Sequence, residues 1–183
     1  LRNSSAASDV YKRQVNIIIQ VGHALQYAHT HGVVHRDVKP ENILVGPFGE
    51  VLLLDWGLAK VRSEEGAPSD IDEMSSESLT EDPTMTGFQK LQGTIAYMSP
   101  EQIKKAPDID GRTDIYSLGV VLYEALTGVK PSLGDTMDKI KASTLNDIPI
   151  TPSEISTTPI SQVLDDIVMQ CLAKDANKRM QSV

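Results

Sequence analysis

The chain has 183 residues, 40% of them hydrophobic, which is enough for one domain with a sizeable core. Its single cysteine excludes a disulfide framework and fits a reducing compartment, and no apolar run approaches the roughly 20 residues of a membrane-spanning helix. The formal net charge of −8 argues against a nucleic-acid-binding protein, because such proteins usually carry a basic patch.

The negative charge is concentrated in residues 63–82. This segment contains no Lys or Arg and eight acidic residues: Glu64, Glu65, Asp70, Asp72, Glu73, Glu77, Glu81 and Asp82. The rest of the chain is therefore balanced in charge. Because the segment is also poor in apolar residues, we expect a solvated loop.

Residues 1–14 show neither a helical nor a strand period, and their small polar composition resembles a translated adaptor. We expect a non-native or disordered leader here, the alternative being a natural flexible linker. The first predicted helix covers Val15–Thr30, where apolar residues recur every three or four positions, and His31-Gly32 ends it. We interpret its histidines as helix-surface residues rather than metal ligands, because no cysteine or acidic cluster accompanies them.

A short predicted strand, Val33-Val34, leads into the polar run His35-Arg36-Asp37-Val38-Lys39-Pro40-Glu41-Asn42. Two β-prone segments then flank a turn-rich linker, so residues 43–45 and 51–54 predict a hairpin. Antiparallel pairing would place Asn42, before the first strand, beside Asp55, after the second. An amide oxygen next to a carboxylate suits Mg²⁺, which prefers hard oxygen ligands.

These residues resemble the H-R-D-x-K-x-x-N loop and the D-F-G motif of protein kinases, with Trp56 where the family usually has Phe. Two further segments carry the resemblance. The run ending in Ser99-Pro100-Glu101 is similar to the A-P-E loop, and Asp114–Gly119 is similar to the start of the family's buried central helix. The lysine at position 39 is typical of serine/threonine kinases.

The resemblance implies a protein-kinase-like α+β fold, of which residues 15–183 would form the mainly helical C-terminal lobe with a short β-hairpin at the catalytic site. No G-x-G-x-x-G loop and no strand lysine of the V-A-I-K type occurs in the sequence. We therefore expect that the N-terminal lobe, which covers ATP, is missing from this chain.

The resemblance also implies roles for single residues. Asp37 would accept or orient the proton of a substrate hydroxyl, and Lys39 would place a positive charge at the γ-phosphate. ATP and Mg²⁺ are the implied cofactors, with Asn42 and Asp55 as the metal ligands. Thr94 would lie in the substrate pocket near Asp37, and Glu41 would contact a basic substrate residue.

Residues 55–101 would form the activation segment, in which Thr84 and Thr86 are the best phosphorylation candidates and Thr80 the third. Arg36 would bind such a phosphate and order the loop. An acidic gate formed by the middle of the segment is the alternative. His35 and Trp56 are expected in a hydrophobic spine.

Two acidic residues have expected structural partners. Glu101 would pair with Arg179, near the end of the chain, and this would fix the substrate loop to the helical base. Asp114 would accept backbone hydrogen bonds from residues 35–42, which correspond to the family's catalytic loop and are given that name below.

The central helix is predicted over Asp114–Thr127, capped by Thr113 or Asp114 and ended by Gly128. After it we expect a short helix at 135–143, a Pro- and Thr-rich loop at 148–159 and an amphipathic helix at 160–174. Cys171 falls on the apolar stripe of that last helix, so a buried and inert thiol is expected.

The sequence thus predicts a fragment of a serine/threonine kinase that transfers the ATP γ-phosphate to protein substrates and is inactive without its missing lobe. A pseudokinase scaffold and a small-molecule phosphotransferase of the aminoglycoside or choline kinase type are the alternatives. We expect no nucleic-acid partner and a cytoplasmic location, with membrane anchoring outside the fragment left open. The oligomeric state is left open as well.

Overall fold

The computed structural model describes residues 2–56, 60–61 and 93–183. The helices are α1 (Arg2–Thr30), α2 (Pro100–Ile103), α3 (Arg112–Thr127), α4 (Met137–Asn146), α5 (Pro152–Ile155) and α6 (Gln162–Cys171). The strands are β1 (Val33–Val34), β2 (Ile43–Val45), β3 (Val51–Leu53) and β4 (Lys60–Val61), and short 3₁₀ turns lie at Pro40–Asn42 and Ala176–Lys178. This helix-rich architecture with small antiparallel sheets is compatible with the predicted fold class.

The first helix is longer than the sequence predicted. It runs from Arg2 rather than from Val15, so the predicted start is wrong. Good helix formers such as Lys12, Arg13 and Gln14 continue the helix towards the N-terminus, and Tyr11 packs against the main core cluster. The non-native origin suggested for residues 1–14 stays a prediction.

Both predicted β features are present. β2 pairs antiparallel with β3, with Ile43 opposite Leu53, so the hairpin prediction is confirmed. β1 pairs antiparallel with β4, with Val33 opposite Val61. The hairpin brings its two ends together, and these ends carry the polar residues of the candidate site.

The core lies around α3. Its Val120 is fully buried and forms a cluster with Val168 and Leu172, while Leu118 packs with Val21 and Leu25 of α1. Gly119 allows α3 to approach α6, because a Cβ atom there would lie only 2.6 Å from Cβ of Cys171. α3 is thus surrounded by other elements along most of its length, as its apolar sequence predicts.

Gly128 ends α3 in the left-handed conformation, with φ +75°, as predicted. The predicted cap is wrong, because the N-cap residue is Gly111, which has no side chain. Thr113 and Asp114 instead lie inside the first turn, where both are fully buried.

The later helices differ from the predictions mainly at their ends. α4 begins after Thr136, whose side chain accepts a hydrogen bond from the Lys139 N–H, and α6 begins after Ser161 in the same way. The segment predicted as a loop at 148–159 contains α5, which Pro152 begins. None of the helices within the described ranges combines the length and hydrophobicity needed to span a membrane.

Candidate active site

The polar run at residues 35–42 is held in place by the first turn of α3. Asp114 accepts the backbone N–H of His35 with Oδ2 at 2.9 Å and the backbone N–H of Arg36 with Oδ1 at 2.8 Å. Arg36 has φ +71°, a left-handed conformation that costs energy for a residue with a side chain, so it needs this external support. Gln102 adds a third bond, from Nε2 to the Arg36 carbonyl at 2.7 Å.

Within this loop, two predicted site residues, Lys39 and Asn42, contact the carboxylate of a third, Asp37. Lys39 Nζ lies 2.7 Å from Asp37 Oδ2, and Asn42 donates from Nδ2 to the same Oδ2 at 3.1 Å and to the Asp37 carbonyl at 2.8 Å. The Asp37 and Lys39 side chains are 13% and 17% exposed, so the pair is accessible but largely enclosed. The carboxylate is therefore held in one orientation by charge and by hydrogen bonds.

Thr94 joins this cluster from a distant part of the chain. Lys39 Nζ donates to Thr94 Oγ1 at 3.4 Å, a contact between residues 55 positions apart in the sequence. Thr94 precedes Tyr97 and Ser99, and both of these residues are buried against α3. The Ser117 hydroxyl of α3 donates to the Tyr97 carbonyl at 2.8 Å. The hydroxyls of Ser99 and Thr113 are 2.5 Å apart. Thr94 therefore lies beside Lys39, which contacts Asp37, and its place in a substrate pocket stays a prediction.

The hairpin brings Asp55 to the same region. The Leu54 N–H donates to the Asn42 carbonyl at 2.8 Å, so Asp55 directly follows the residue that pairs with Asn42. Asp55 is exposed and has φ +61°, which directs the chain out of β3. His35 supports this corner, because its Nε2 lies 2.9 Å from the Leu54 carbonyl.

The donor set at this corner fits a small divalent cation. Asn42 uses its side-chain nitrogen Nδ2 for both hydrogen bonds to Asp37. Its side-chain oxygen Oδ1 therefore lies on the other side of the amide group. That oxygen and the Asp55 carboxylate are hard ligands of the kind Mg²⁺ prefers. Across the described ranges, no group of three or more His, Cys, Asp or Glu residues forms a self-sufficient metal cage. A cation with few protein ligands, completed by water and phosphate oxygens, is thus the kind that fits.

His35 and Trp56 contact each other but differ in burial. His35 is fully buried, and its ring meets the Trp56 ring edge-on, with 4.5 Å between the ring centroids. Trp56 remains 36% exposed and donates from Nε1 to the Leu53 carbonyl at 3.0 Å. Of the two residues expected in a hydrophobic spine, His35 is therefore enclosed by protein, while Trp56 is partly exposed to solvent.

The outer face of the hairpin is apolar and exposed. Leu44 and Leu52 are opposite each other in the register and are 52% and 53% exposed, and Leu54 on the same side of β3 is 42% exposed. Three neighbouring leucines exposed on a two-stranded ribbon are costly in water, because the hairpin has no second layer on that side among the described residues. This apolar face adjoins the corner formed by Asn42 and Asp55.

The predicted pair of Glu101 and Arg179 is present. Arg179 donates to both carboxylate oxygens, at 2.6 and 2.8 Å, and its guanidinium also donates to the carbonyls of Ala173 and Arg112. Burial by itself raises the pKa of Glu101, but the hydrogen bonds and charge of Arg179 outweigh burial, so this pKa lies below its ordinary value.

Two residues that support the loop at residues 35–42 were not predicted from the sequence. His29 Nε2 lies 2.8 Å from Asp114 Oδ2, so this histidine supports the loop at residues 35–42 indirectly, and no local pattern indicates that contact. Gln102 forms a capping box with Ser99, and this was readable, because Ser99-Pro100-Glu101-Gln102 has the S-x-x-Q spacing.

The remaining predicted site residues are Glu41, Arg36 and those of the activation segment. Glu41 is exposed in the 3₁₀ turn after Lys39. Arg36 has a buried Nε atom without a hydrogen-bond partner among the described residues, and burial lowers its pKa while the nearby Asp114 charge opposes this. Gly57, Thr80, Thr84, Thr86 and the acidic run at 63–82 lie outside the described residues.

Sequence comparison with known proteins identifies the family of this chain. The sequence matches the protein kinase domain family over residues 4–182, so the chain belongs to the protein kinase family. It is 39% identical over 172 residues to the serine/threonine-protein kinase PknD of Protochlamydia amoebophila (strain UWE25), covering 92% of this chain and 17% of that protein.

Two further relatives carry the same kind of name. The chain is 34% identical over 171 residues to the serine/threonine-protein kinase PknB of Mycolicibacterium smegmatis, and 40% identical over 171 residues to the serine/threonine-protein kinase PknD of Chlamydia caviae. These matches cover 93% and 92% of this chain but 24% and 18% of the relatives. The recognition of a serine/threonine protein kinase is thereby confirmed, and the chain spans less than a quarter of the length of these relatives.

Proposed function

We propose that this chain carries the phosphoryl-transfer residues of a serine/threonine protein kinase that moves the γ-phosphate of ATP to Ser and Thr hydroxyls of protein substrates. The observation that carries the proposal is the cluster around Asp37, whose Oδ2 lies 2.7 Å from Lys39 Nζ and 3.1 Å from Asn42 Nδ2. The relatives' names, all of serine/threonine-protein kinases, support the substrate class.

Asp37 is proposed as the residue that receives the substrate hydroxyl. Its carboxylate is enclosed and oriented by two donors, so it can accept a hydrogen bond from an incoming hydroxyl and take its proton during transfer. The backbone bonds from Asp114 fix the loop one residue before it, which limits how far this carboxylate can move.

Lys39 is proposed to carry positive charge to the transferring phosphate. Its ammonium group contacts both Asp37 and Thr94, so it sits between the proposed base and the substrate-side loop. Phosphoryl transfer depends on positioning and on stabilising charge, and a fixed cation at this point supplies both. Thr94 would then help orient the acceptor residue.

Asn42 and Asp55 are proposed as the residues that hold Mg²⁺. When bound with ATP, the ion neutralises charge on the phosphates. In support of this, the hairpin register brings Asp55 beside Asn42, and the bonds to Asp37 orient the Asn42 side-chain amide.

Regulation by phosphorylation of Thr84 or Thr86 remains part of the proposal, with Arg36 as the residue that binds the phosphate. Its planar guanidinium is suited to pair with a phosphate group. Glu41 is proposed to contact a basic residue of the substrate.

We further propose that the chain is a fragment and is inactive by itself. The exposed leucines at 44, 52 and 54 would be covered by a nucleotide-binding lobe and by the adenine base of ATP, which are apolar partners of the right kind. Phosphate transfer from labelled ATP to a serine peptide by the isolated chain would overturn the inactivity proposal.

The catalytic proposal is tested on the full-length protein that contains this chain. Asp37→Asn should lower kcat for protein substrates by about 10²- to 10⁴-fold, because the base is lost while the fold is kept. The exposed Asp135→Asn is the matched control. Transfer to aminoglycosides or choline but not to proteins would contradict the proposal, as would a fully active Asp37→Asn variant.

A further inference from the structure

A cavity of about 480 Å³ opens beside the catalytic loop, where that loop meets α1 and α3. Its walls include Pro40, Glu41, Tyr97, Glu124 and Lys130. Two of these residues connect the cavity to the Lys39–Thr94 contact: Glu41 lies in the 3₁₀ turn that Lys39 begins, and the Tyr97 N–H donates to the Thr94 carbonyl at 3.1 Å.

Two carboxylates give this cavity a negative wall. Tyr97 is buried and donates from its hydroxyl to Glu124 Oε2 at 2.6 Å, which fixes that carboxylate at the wall. Burial raises the pKa of Tyr97, and the negative charges of Glu124 and Glu41 raise it further. Glu41 lines the same cavity as Glu124, so the cavity wall carries two carboxylates.

Lys130 places a positive charge in the same wall. Its Nζ lies 4.6 Å from the centroid of the Tyr97 ring, within the range of a cation–π contact. With Glu124 it also lines an adjoining cavity of about 400 Å³, so the ammonium group stands between the two cavities. The half-buried side chain is held there by the ring beneath it.

We propose that Lys130 is a specificity-determining residue. Its positive charge in the cavity wall reduces the preference for substrates with Lys or Arg near the acceptor. This rests on the proposed kinase function. An incoming basic side chain is attracted by Glu41 and Glu124 but repelled by Lys130. For two unit charges about 6–8 Å apart in a partly solvated site, this repulsion corresponds to roughly a three- to tenfold change in selectivity.

The test uses the full-length enzyme and serine peptides that carry Arg, norleucine or Glu at single positions within three residues of the serine. The measured quantity is the ratio of kcat/KM for the Arg peptide to that for the norleucine peptide. Lys130→Met, which keeps an unbranched side chain on the Tyr97 ring, should raise this ratio by roughly three- to tenfold at the position that enters the cavity. The kcat/KM for the Glu peptide should fall relative to norleucine.

Two matched variants separate charge from structure. Lys130→Arg should leave the ratio near its original value, and Lys178→Met, at an exposed lysine outside the cavity wall, should not change it. If Lys130→Met changes kcat/KM equally for all peptides, or leaves the ratio unchanged, the lysine only supports Tyr97 and the inference is overturned. An unmodified enzyme that phosphorylates no serine peptide would instead contradict the proposed function.

Discussion

Arg179 and Glu101 are 78 positions apart in the sequence, yet the arginine donates to both oxygens of the glutamate at 2.6 and 2.8 Å. The arginine side chain is fully buried and the glutamate side chain is 18% exposed. This contact ties α2, which contains Glu101, to the residues that follow the 3₁₀ turn Ala176–Lys178. It therefore connects the position of Thr94 to the stability of the helical core.

Removing one partner of this pair should be strongly destabilising. Glu101→Gln leaves the Arg179 charge buried without a counter-charge, and we expect a loss of about 3–5 kcal/mol in the free energy of unfolding. Urea denaturation of the chain measures this. The double variant Glu101→Gln with Arg179→Met should recover part of the loss, and equal stability of the single variant and the parent would contradict the interpretation.

The same pair should make stability depend on pH in the acid range. Because the folded-state pKa of Glu101 lies below its ordinary value, the contribution is present above the unfolded-state pKa and is lost as pH falls through the folded-state pKa. Unfolding free energies between pH 7 and pH 3 should therefore decrease more steeply in the parent than in Glu101→Gln. Parallel curves for the two proteins would show that this carboxyl does not contribute.

Asp114 should be required to keep the catalytic loop ordered. Asp114→Asn replaces one acceptor oxygen with an NH₂ group that faces a backbone N–H, which leaves a buried donor unpaired at a cost of about 1–3 kcal/mol. Hydrogen exchange at the His35 and Arg36 amides should become faster than in the parent. The exposed variant Asp138→Asn serves as the control, and unchanged protection of both amides would contradict the prediction.

Cys171 should be unreactive in the folded protein. It is 8% exposed, and burial raises the pKa of its thiol to about 11, so very little thiolate is present at pH 8. We expect labelling by a thiol reagent to be slow in buffer and fast in denaturing urea. Rapid modification under native conditions would show that α6 opens easily or that the thiol is exposed.

The sequence by itself determined the local features of this protein. Gly128 predicted the end of the central helix because only glycine adopts φ +75° without strain. Two short β-prone runs around a turn-rich linker predicted the hairpin, and therefore the neighbouring positions of Asn42 and Asp55. The order of the motifs was sufficient to recognise the kinase family.

Only the tertiary structure decided the contacts that cross the chain. The bonds from His29 to Asp114 and from Gln102 to Arg36 join residues 85 and 66 positions apart, and no periodicity encodes such distances. The burial of Thr113 also depends on packing, because helix propensity contributes less free energy than the burial of a side chain. Local chemistry therefore named the candidate site residues, while long-range packing fixed their positions relative to one another.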